Sequence, residues 1–305
     1  MKPVAVIIGS GGQDGKLLNK KLKSIGYSIV GITKDTMDIT NQKEVNDLIS
    51  STQPKEIYFL AAFHHSSEED IINERELFSR SIDVNVIAPV NFLDAITFHS
   101  PQSRFFFASS CLVFAPSNIL QTEQTELKPE GVYGISKAAG MMACRYYREK
   151  KKVFVSTGIL YNHESSLRSN KFVSRKIISS AAKIAREKKG KLTLGNLEAL
   201  VDWGYAPDYV EAMHQILKLD QPNDFIVATG ESHSVKEFSK FAFNYFGLDY
   251  KKYIKIDNNV LARGNSTRIG DSSLLRQETG WRPSTSFNEM IIIMAKEEEE
   301  LYNEE

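Results

Sequence analysis

The chain opens on an apolar run that passes directly into a glycine-rich turn, and this fixes the kind of fold open to it. Lys2 to Ile8 reads KPVAVII, the pattern of a strand buried on both faces of a parallel sheet. Gly9, Gly12 and Gly15 follow in a Gly-x-x-Gly-x-x-Gly spacing, with Gly11 as a further glycine and Gln13 and Asp14 on the same turn. Lys16 to Ile25 then takes on helical character. Glycines so spaced let backbone approach a pyrophosphate and aim the amides of a helix start at it. The same turn can also do no more than join strand to helix, so alone it is a modest signal.

Alternation continues through the first half. Ser28 to Ile32, Glu56 to Ala61, Arg104 to Ala108 and Phe154 to Leu160 read as strands. Asn41 to Ser50, with a cap-like Asn at its start, and Arg80 to Phe98 read as helices, and a further helix carries Tyr133. The expected fold is therefore α/β: a doubly wound, Rossmann-like parallel sheet with a smaller C-terminal substrate-binding lobe. After about residue 160 the pattern loosens into helices near 172–188 and 235–246, with Phe225 to Ala228 as a strand returning to the sheet. The division predicted is residues 1–160 for the dinucleotide-binding domain and 161–305 for the lobe, with segments returning to the main sheet.

Tyr133 and Lys137 stand four apart in PEGVYGISKAAG, so they share a helix face. A phenol's ordinary pKa is about 10, and an ammonium beside it is expected to lower that toward neutrality. A phenol so tuned takes a proton from a hydroxyl or gives one to a ketone. A structural tyrosine is the bland alternative. His64 and His65 have no third ligand at a suitable spacing, so no metal is expected and ordinary loop histidines are the simpler reading. Cys111 and Cys144 make no disulfide framework, and Cys111 reads as a packing residue. Asn85 sits within a helix, where Asn is unfavourable, and is expected to hold a water or a backbone group behind the tyrosine.

Acidic and basic residues balance at 38 each, so neither nucleic acid nor an anionic membrane is an expected partner. No apolar run is read as long enough to span a bilayer, the N-terminus has no signal-peptide pattern, and a cytoplasmic enzyme is expected. The acidic run from Lys296 to Glu305 reads as a solvated helix end. The helix of Arg80 to Phe98 and the Tyr133 helix have apolar faces that suit either a two-fold interface or core packing; a homodimer is expected.

Several stretches together carry a family resemblance. They are GSGGQDG (Gly9 to Gly15), EIYFLAA (Glu56 to Ala62), YNHES (Tyr161 to Ser165), FVSRKI (Phe172 to Ile177), LGNLEALVDWGYAPDYVEAM (Leu194 to Met213) and VATGESHSVKEF (Val227 to Phe238). In these the chain resembles the extended short-chain dehydrogenase/reductases that act on nucleotide sugars, above all the GDP-mannose 4,6-dehydratase group. The resemblance implies an NAD(P) cofactor and a GDP-sugar substrate. It places Gly9, Gly12, Gln13, Asp14 and Gly15 on the cofactor diphosphate, Asp38 and Ile39 beside the adenine, and Leu60, Ala61 and Ala62 under the cofactor. It makes Tyr133 the acid/base, Lys137 the ribose-binding partner that tunes it, and Ser110 the hydroxyl on the reacting sugar oxygen. His163 falls near the nicotinamide. Asn162, Val173, Lys176, Leu194, Asn196 and Arg263 fall on the nucleotide diphosphate half of the substrate.

Three departures qualify what the resemblance implies. The family pattern after the fourth strand is Thr-Ser-Glu, and here Leu112 stands where the glutamate belongs. That glutamate helps remove the C5 proton and expel the C6 hydroxyl, which leucine cannot do. The expectation is therefore oxidation at C4 of a GDP-linked, manno-type hexose or heptose without loss of water. A 4-keto-sugar reductase, a dehydratase with a replaced acid/base and a catalytically idle scaffold are the alternatives. Val201 stands where the family has Arg before Asp-Trp-Gly, and the family's Arg-rich loop after the second strand is absent. Thr33 sits where an acid selects NAD or an Arg selects NADP, with Lys34 beside it; NAD is expected, with NADP not excluded.

Overall fold

The structure is a computed structural model that describes residues 2–64, 73–257 and 267–303. The first half runs β1 (Val4–Ile8), α1 (Gln13–Ser24), β2 (Ser28–Ile32), α2 (Gln42–Thr52), β3 (Glu56–Phe59), α3 (Glu74–Ile82), a π-helical turn (Asp83–Ile87) and α4 (Ala88–His99). Next come β4 (Arg104–Ser110), a 3-10 turn (Cys111–Val113), α5 (Val132–Lys150) and β5 (Phe154–Leu160). The second half runs β6 (Asn162–Glu164), α6 (Val173–Glu187), β7 (Leu192–Leu194), β8 (Leu200–Val201), β9 (Trp203–Tyr205), α7 (Ala206–Ile216) and β10 (Asp224–Val227). It ends with β11 (His233–Ser234), α8 (Val235–Tyr245), α9 (Tyr250–Tyr253), β12 (Ile254–Ile256), α10 (Ser273–Thr279) and α11 (Phe287–Asn303).

Six parallel strands form the main sheet in the order β10-β5-β4-β3-β1-β2. Side chains alternate across a strand, and here both faces are apolar. Val6, Ile8, Phe105 and Phe107 enter one core with Phe92, Leu93, Met141 and Val45 from α4, α5 and α2. Ala5, Ile7 and Phe106 enter a second core with Leu18 of α1 and Val210, Met213 and Ile216 of α7. Burial on both sides is why these strands read as unbroken apolar runs. The order reverses between β1 and β3, and the loops after β1, β3 and β4 open at that point.

A third core belongs to the lobe: Ile177, Ile178 and Ala181 of α6, Phe238 and Phe243 of α8, Trp203, and Met290, Ile291 and Met294 of α11. The chain leaves the sheet after β5, returns with α7 and β10, leaves again, and sends Leu275 and Trp281 back to the second core. Asp202 ties the two parts. Buried just ahead of β9, it accepts from Thr229 N (3.0 Å), Thr229 Oγ1 (2.6 Å) and Gly230 N (3.1 Å), immediately after β10. Burial pushes its carboxyl up to about 6, against the lowering effect of those donors.

Two readings need correction. The helix expected from Arg80 starts at Glu74, where the Asn73 side chain accepts from Glu76 N (2.9 Å); its first turn is charged and hides the start. The resulting helical run, Glu74–His99, has 26 residues and is apolar enough by length and composition to cross a membrane, contrary to the expectation of no such run. Its apolar residues Ala88, Phe92, Leu93, Ala95 and Ile96 lie in the first core, which accounts for its composition.

Candidate active site

The glycine turn is built for close approach. Gly9 has φ +88°, in the left-handed region, and an added Cβ there would lie 2.8 Å from Ala61 N. An added Cβ on Gly15 would lie 2.3 Å from the Gly9 carbonyl oxygen. The end of β1, the start of α1 and the segment Leu60–Ala62 after β3 are thereby pressed together. Gly12 caps α1 without any side-chain hydrogen bond, so the first amides of the helix carry no internal cap. This cradle fits a dinucleotide diphosphate, which would take those amides and the positive end of the helix.

Tyr133 lies in the first turn of α5 and Lys137 one turn on, fully buried. Lys137 Nζ donates to the Ala108 carbonyl at 2.8 Å and lies 5.8 Å from the Tyr133 ring centroid. The expected tuning takes a different form in this geometry. Burial pushes the Lys137 ammonium down to about 7, and burial pushes the Tyr133 phenol well above its ordinary value. The nearby positive charge that pulls Tyr133 back is that of Arg168, not Lys137.

Arg168 is the residue sequence reasoning missed. Its guanidinium stacks on Phe172 at 3.6 Å and its Nε lies 3.4 Å from Glu164 Oε2. Its charge bears on Tyr133, Asp14 and His163 together. The available signal was a cation three residues beyond the YNHES stretch. His64 is the second surprise. Read as an ordinary loop histidine, it packs its ring at 80° to that of Tyr133, with centroids 4.8 Å apart, and lies 6.1 Å from Phe172. His65 lies outside the described residues. Among the described residues there is no cluster suited to a metal.

Asn85, in the π-helical turn, accepts from Phe63 N (3.1 Å) and donates to Phe63 O (3.2 Å) and Ser136 Oγ (2.9 Å). Ser136 Oγ in turn donates to Tyr133 O. The asparagine therefore fastens the loop after β3 to the tyrosine helix. Ser110 accepts from Leu112 N at 3.2 Å and caps the 3-10 turn. The Leu112 side chain packs against the first core. Its carbonyl abuts α5 so closely that an added Cβ on Gly134 would lie 2.3 Å from it.

The other predicted residues fall around this centre. Thr33 follows β2 in a turn where its amide donates to Thr36 Oγ1 (2.9 Å). Asp38 is exposed and accepts from Thr40 N and Oγ1, hydrogen bonds that hold its carboxyl below the usual range, and Ile39 packs on the first core. Asn162 and His163 are on β6, paired with β9. Val173 and Lys176 are in the first turn of α6. Leu194 ends β7 with its side chain in the lobe core, and Asn196 follows, accepting from Glu198 N. Arg263 lies outside the described residues.

Comparison with known proteins gives the relationship. A family profile described as GDP-mannose 4,6 dehydratase matches residues 33–294. GDP-mannose 4,6 dehydratase 2 of Arabidopsis thaliana is 32% identical, over 100% of this chain and 89% of that protein. The Homo sapiens GDP-mannose 4,6 dehydratase is 31% identical, over 98% of this chain and 92% of its own length. RMD from Pseudomonas aeruginosa, solved with NADPH, superposes with a TM-score of 0.85 at 17% identity, over 98% of this chain and all of that one. A dTDP-glucose 4,6-dehydratase from Bacillus anthracis, solved with NAD, gives 0.83 at 18% identity, over 99% and 98% of the two chains. At these identities the solved structures speak for the fold.

Proposed function

The chain belongs to the GDP-mannose 4,6-dehydratase family, and from that premise we propose that it is an NAD(P)-dependent oxidoreductase acting at C4 of a GDP-linked, manno-type hexose or heptose without eliminating water. The observation that carries this reading is Leu112: it stands where the resemblance places the family's glutamate, and its partly buried side chain packs against the first core. The site keeps a proton-transfer tyrosine, and position 112, where the resemblance places the glutamate that deprotonates C5, has no carboxylate.

A nicotinamide cofactor with its diphosphate on the glycine cradle would accept the hydride that leaves C4. In its ionised form Tyr133 removes the C4 hydroxyl proton, and Ser110 holds the same oxygen. Lys137 holds the ribose end of the cofactor and Gly9, Gly12 and Gly15 its diphosphate, with Gln13 and Asp14 on that turn. NAD is the preferred cofactor, since Thr33 is not basic; Lys34 leaves room for NADP. The reverse reaction has its own support, because burial keeps the proton on Tyr133 and a protonated phenol is the donor that a 4-ketone needs. Asn162, Val173, Lys176, Leu194, Asn196 and Arg263 are proposed to face the GDP half. A homodimer is proposed through the exposed apolar residues Ile135, Met142 and Tyr146 of α5 and Ile87 and Phe98 beside them.

The test is incubation with GDP-mannose or a GDP-heptose and either oxidised cofactor, following nicotinamide absorbance and product mass. A product two mass units lighter, with one reduced nicotinamide formed per sugar, supports the proposal. Loss of water identifies a dehydratase and defeats it. Oxidation of added NADH by a 4-keto sugar, with no reaction of the alcohols, assigns the reverse direction. Tyr133→Phe abolishes turnover in either direction while leaving the cofactor bound.

A further inference from the structure

His163 sits in a ring of acceptors. Its Nδ1 lies 2.7 Å from the Tyr161 carbonyl oxygen, which can only accept. Its Nε2 lies 3.0 Å from Asp14 Oδ2. Asp14 is in the first turn of α1, where the helix favours a negative charge, and its other oxygen accepts from Gln13 Nε2 at 3.1 Å. A carboxylate there accepts as well, so both ring nitrogens must carry protons. Above the ring, Tyr209 stacks at 4.6 Å between centroids with planes 17° apart, and a tyrosine face favours a cation.

We propose that His163 is held as an imidazolium that clasps the glycine-turn helix to the lobe, and that this makes dinucleotide binding depend on its proton. The clasp has two further threads. Gln13 Nε2 donates to the His163 carbonyl (3.1 Å) and Ser165 Oγ donates to Gln13 Oε1 (2.8 Å). All three connect α1 to β6 and the turn after it, across 149 to 152 positions of sequence.

The charged groups facing the ring set the sign. Burial pulls His163 down; the Asp14 charge and hydrogen bond and the Tyr161 carbonyl raise it, Arg168 lowers it, and the net shift is upward. Burial raises Asp14, while His163, Gln13 and Arg168 lower it, and the net shift is downward. Glu164, next on β6, is engaged by Ser174 and Arg168, and the Tyr209 phenol is kept neutral by burial. With the proton in place the Asp14–His163 pair has no net charge. When His163 loses it, Asp14 is left as an uncompensated anion in the first turn of the helix that would receive the cofactor's diphosphate. Dinucleotide affinity is then lost as pH rises through the imidazolium's pKa, by about tenfold for each unit by which bound cofactor raises that pKa.

The inference rests on the cofactor site proposed above, and the experiment separates the two. Nitrogen-15 NMR of histidine-labelled, cofactor-free protein at pH 7 should show one imidazolium with both nitrogens protonated that vanishes in His163→Gln. A neutral His163 at pH 7 overturns the proposal. NADH affinity measured between pH 6 and pH 9.5 should weaken about tenfold in the native chain, and stay level at the weakened value in His163→Gln, which has no proton to lose at that position. Native affinity that is flat over this range overturns the clasp alone. A chain that binds neither NADH nor NADPH at any pH overturns the clasp and the proposed function together.

Discussion

Replacing Gly134 with alanine is the sharpest test of the site's construction. Gly134 is the third residue of α5, directly after Tyr133. An alanine Cβ there would lie 2.3 Å from the Leu112 carbonyl oxygen and 3.1 Å from Pro129 Cβ, where ordinary contact begins at 3.4 Å. The Leu112 carbonyl must therefore retreat by about 1 Å, and the shift passes through the Leu112 Cα to the preceding peptide, whose N–H bonds Ser110 Oγ. Displacing reacting groups by about 1 Å costs about 100-fold in rate. The stability cost is smaller. Overpacking costs about 1–3 kcal/mol, and alanine's better helix propensity returns about 1 kcal/mol of it. The expected variant melts close to the native chain and turns over about 100-fold more slowly, with KM changed much less than kcat. Steady-state kinetics beside thermal unfolding measure both. An alanine variant with kcat within about twofold of native would show that the Ser110–Leu112 turn does not set the geometry at Tyr133.

Two further outcomes follow from other parts of the fold. Glu56 is fully buried and accepts from Tyr27 Oη (2.7 Å), Tyr58 Oη (2.8 Å) and Lys218 Nζ (2.6 Å). Burial opposes its charge, but His214, Lys218 and the two tyrosines bring its carboxyl from 4.5 down to about 2. Its folded value lies below the unfolded one, so its contribution, about 3 kcal/mol, is complete above pH 4.5 and fades as pH falls toward 2. Urea unfolding at pH 7 and pH 3 should show Glu56→Gln losing stability at pH 7 and a shallower pH dependence; parallel curves for the two chains would refute the assignment. Asn85→Ala should cost about 1–3 kcal/mol, because it leaves both polar groups of Phe63 unpaired, and should weaken NADH binding by loosening the loop under the cofactor. Unchanged NADH affinity would mean that the loop holds its place without this asparagine.

The middle of the sheet was legible because its strands are buried on both faces: Phe154–Leu160 comes out with the expected bounds, as does the edge strand Ser28–Ile32, of which only Ile32 is buried, and Phe225 does return to the sheet beside β5. The glycine turn was legible because Gly9 and Gly15 are forced by backbone contacts that any side chain would block. Tyr133 and Lys137 share a face as their spacing requires, but spacing says nothing about burial, and burial decides their protonation. Arg168 and His64 were illegible for another reason. Each reaches the tyrosine through folding that brings a loop from one layer against a helix from another, and a single cation or imidazole in a polar stretch carries no period to betray it. The His163–Asp14 contact spans 149 positions and is invisible to any local rule.

The return of α7, β10 and Trp281 to the sheet has a consequence for how such a chain can change over evolutionary time. No single cut separates the cofactor half from the lobe: severing the chain after residue 160 would strip an edge strand from β5 and lay bare the face that Val210, Met213 and Ile216 cover. New sugar preferences therefore cannot arrive by shuffling whole modules. They must come by substitution within the excursions, each tethered at both ends to a sheet that tolerates little movement.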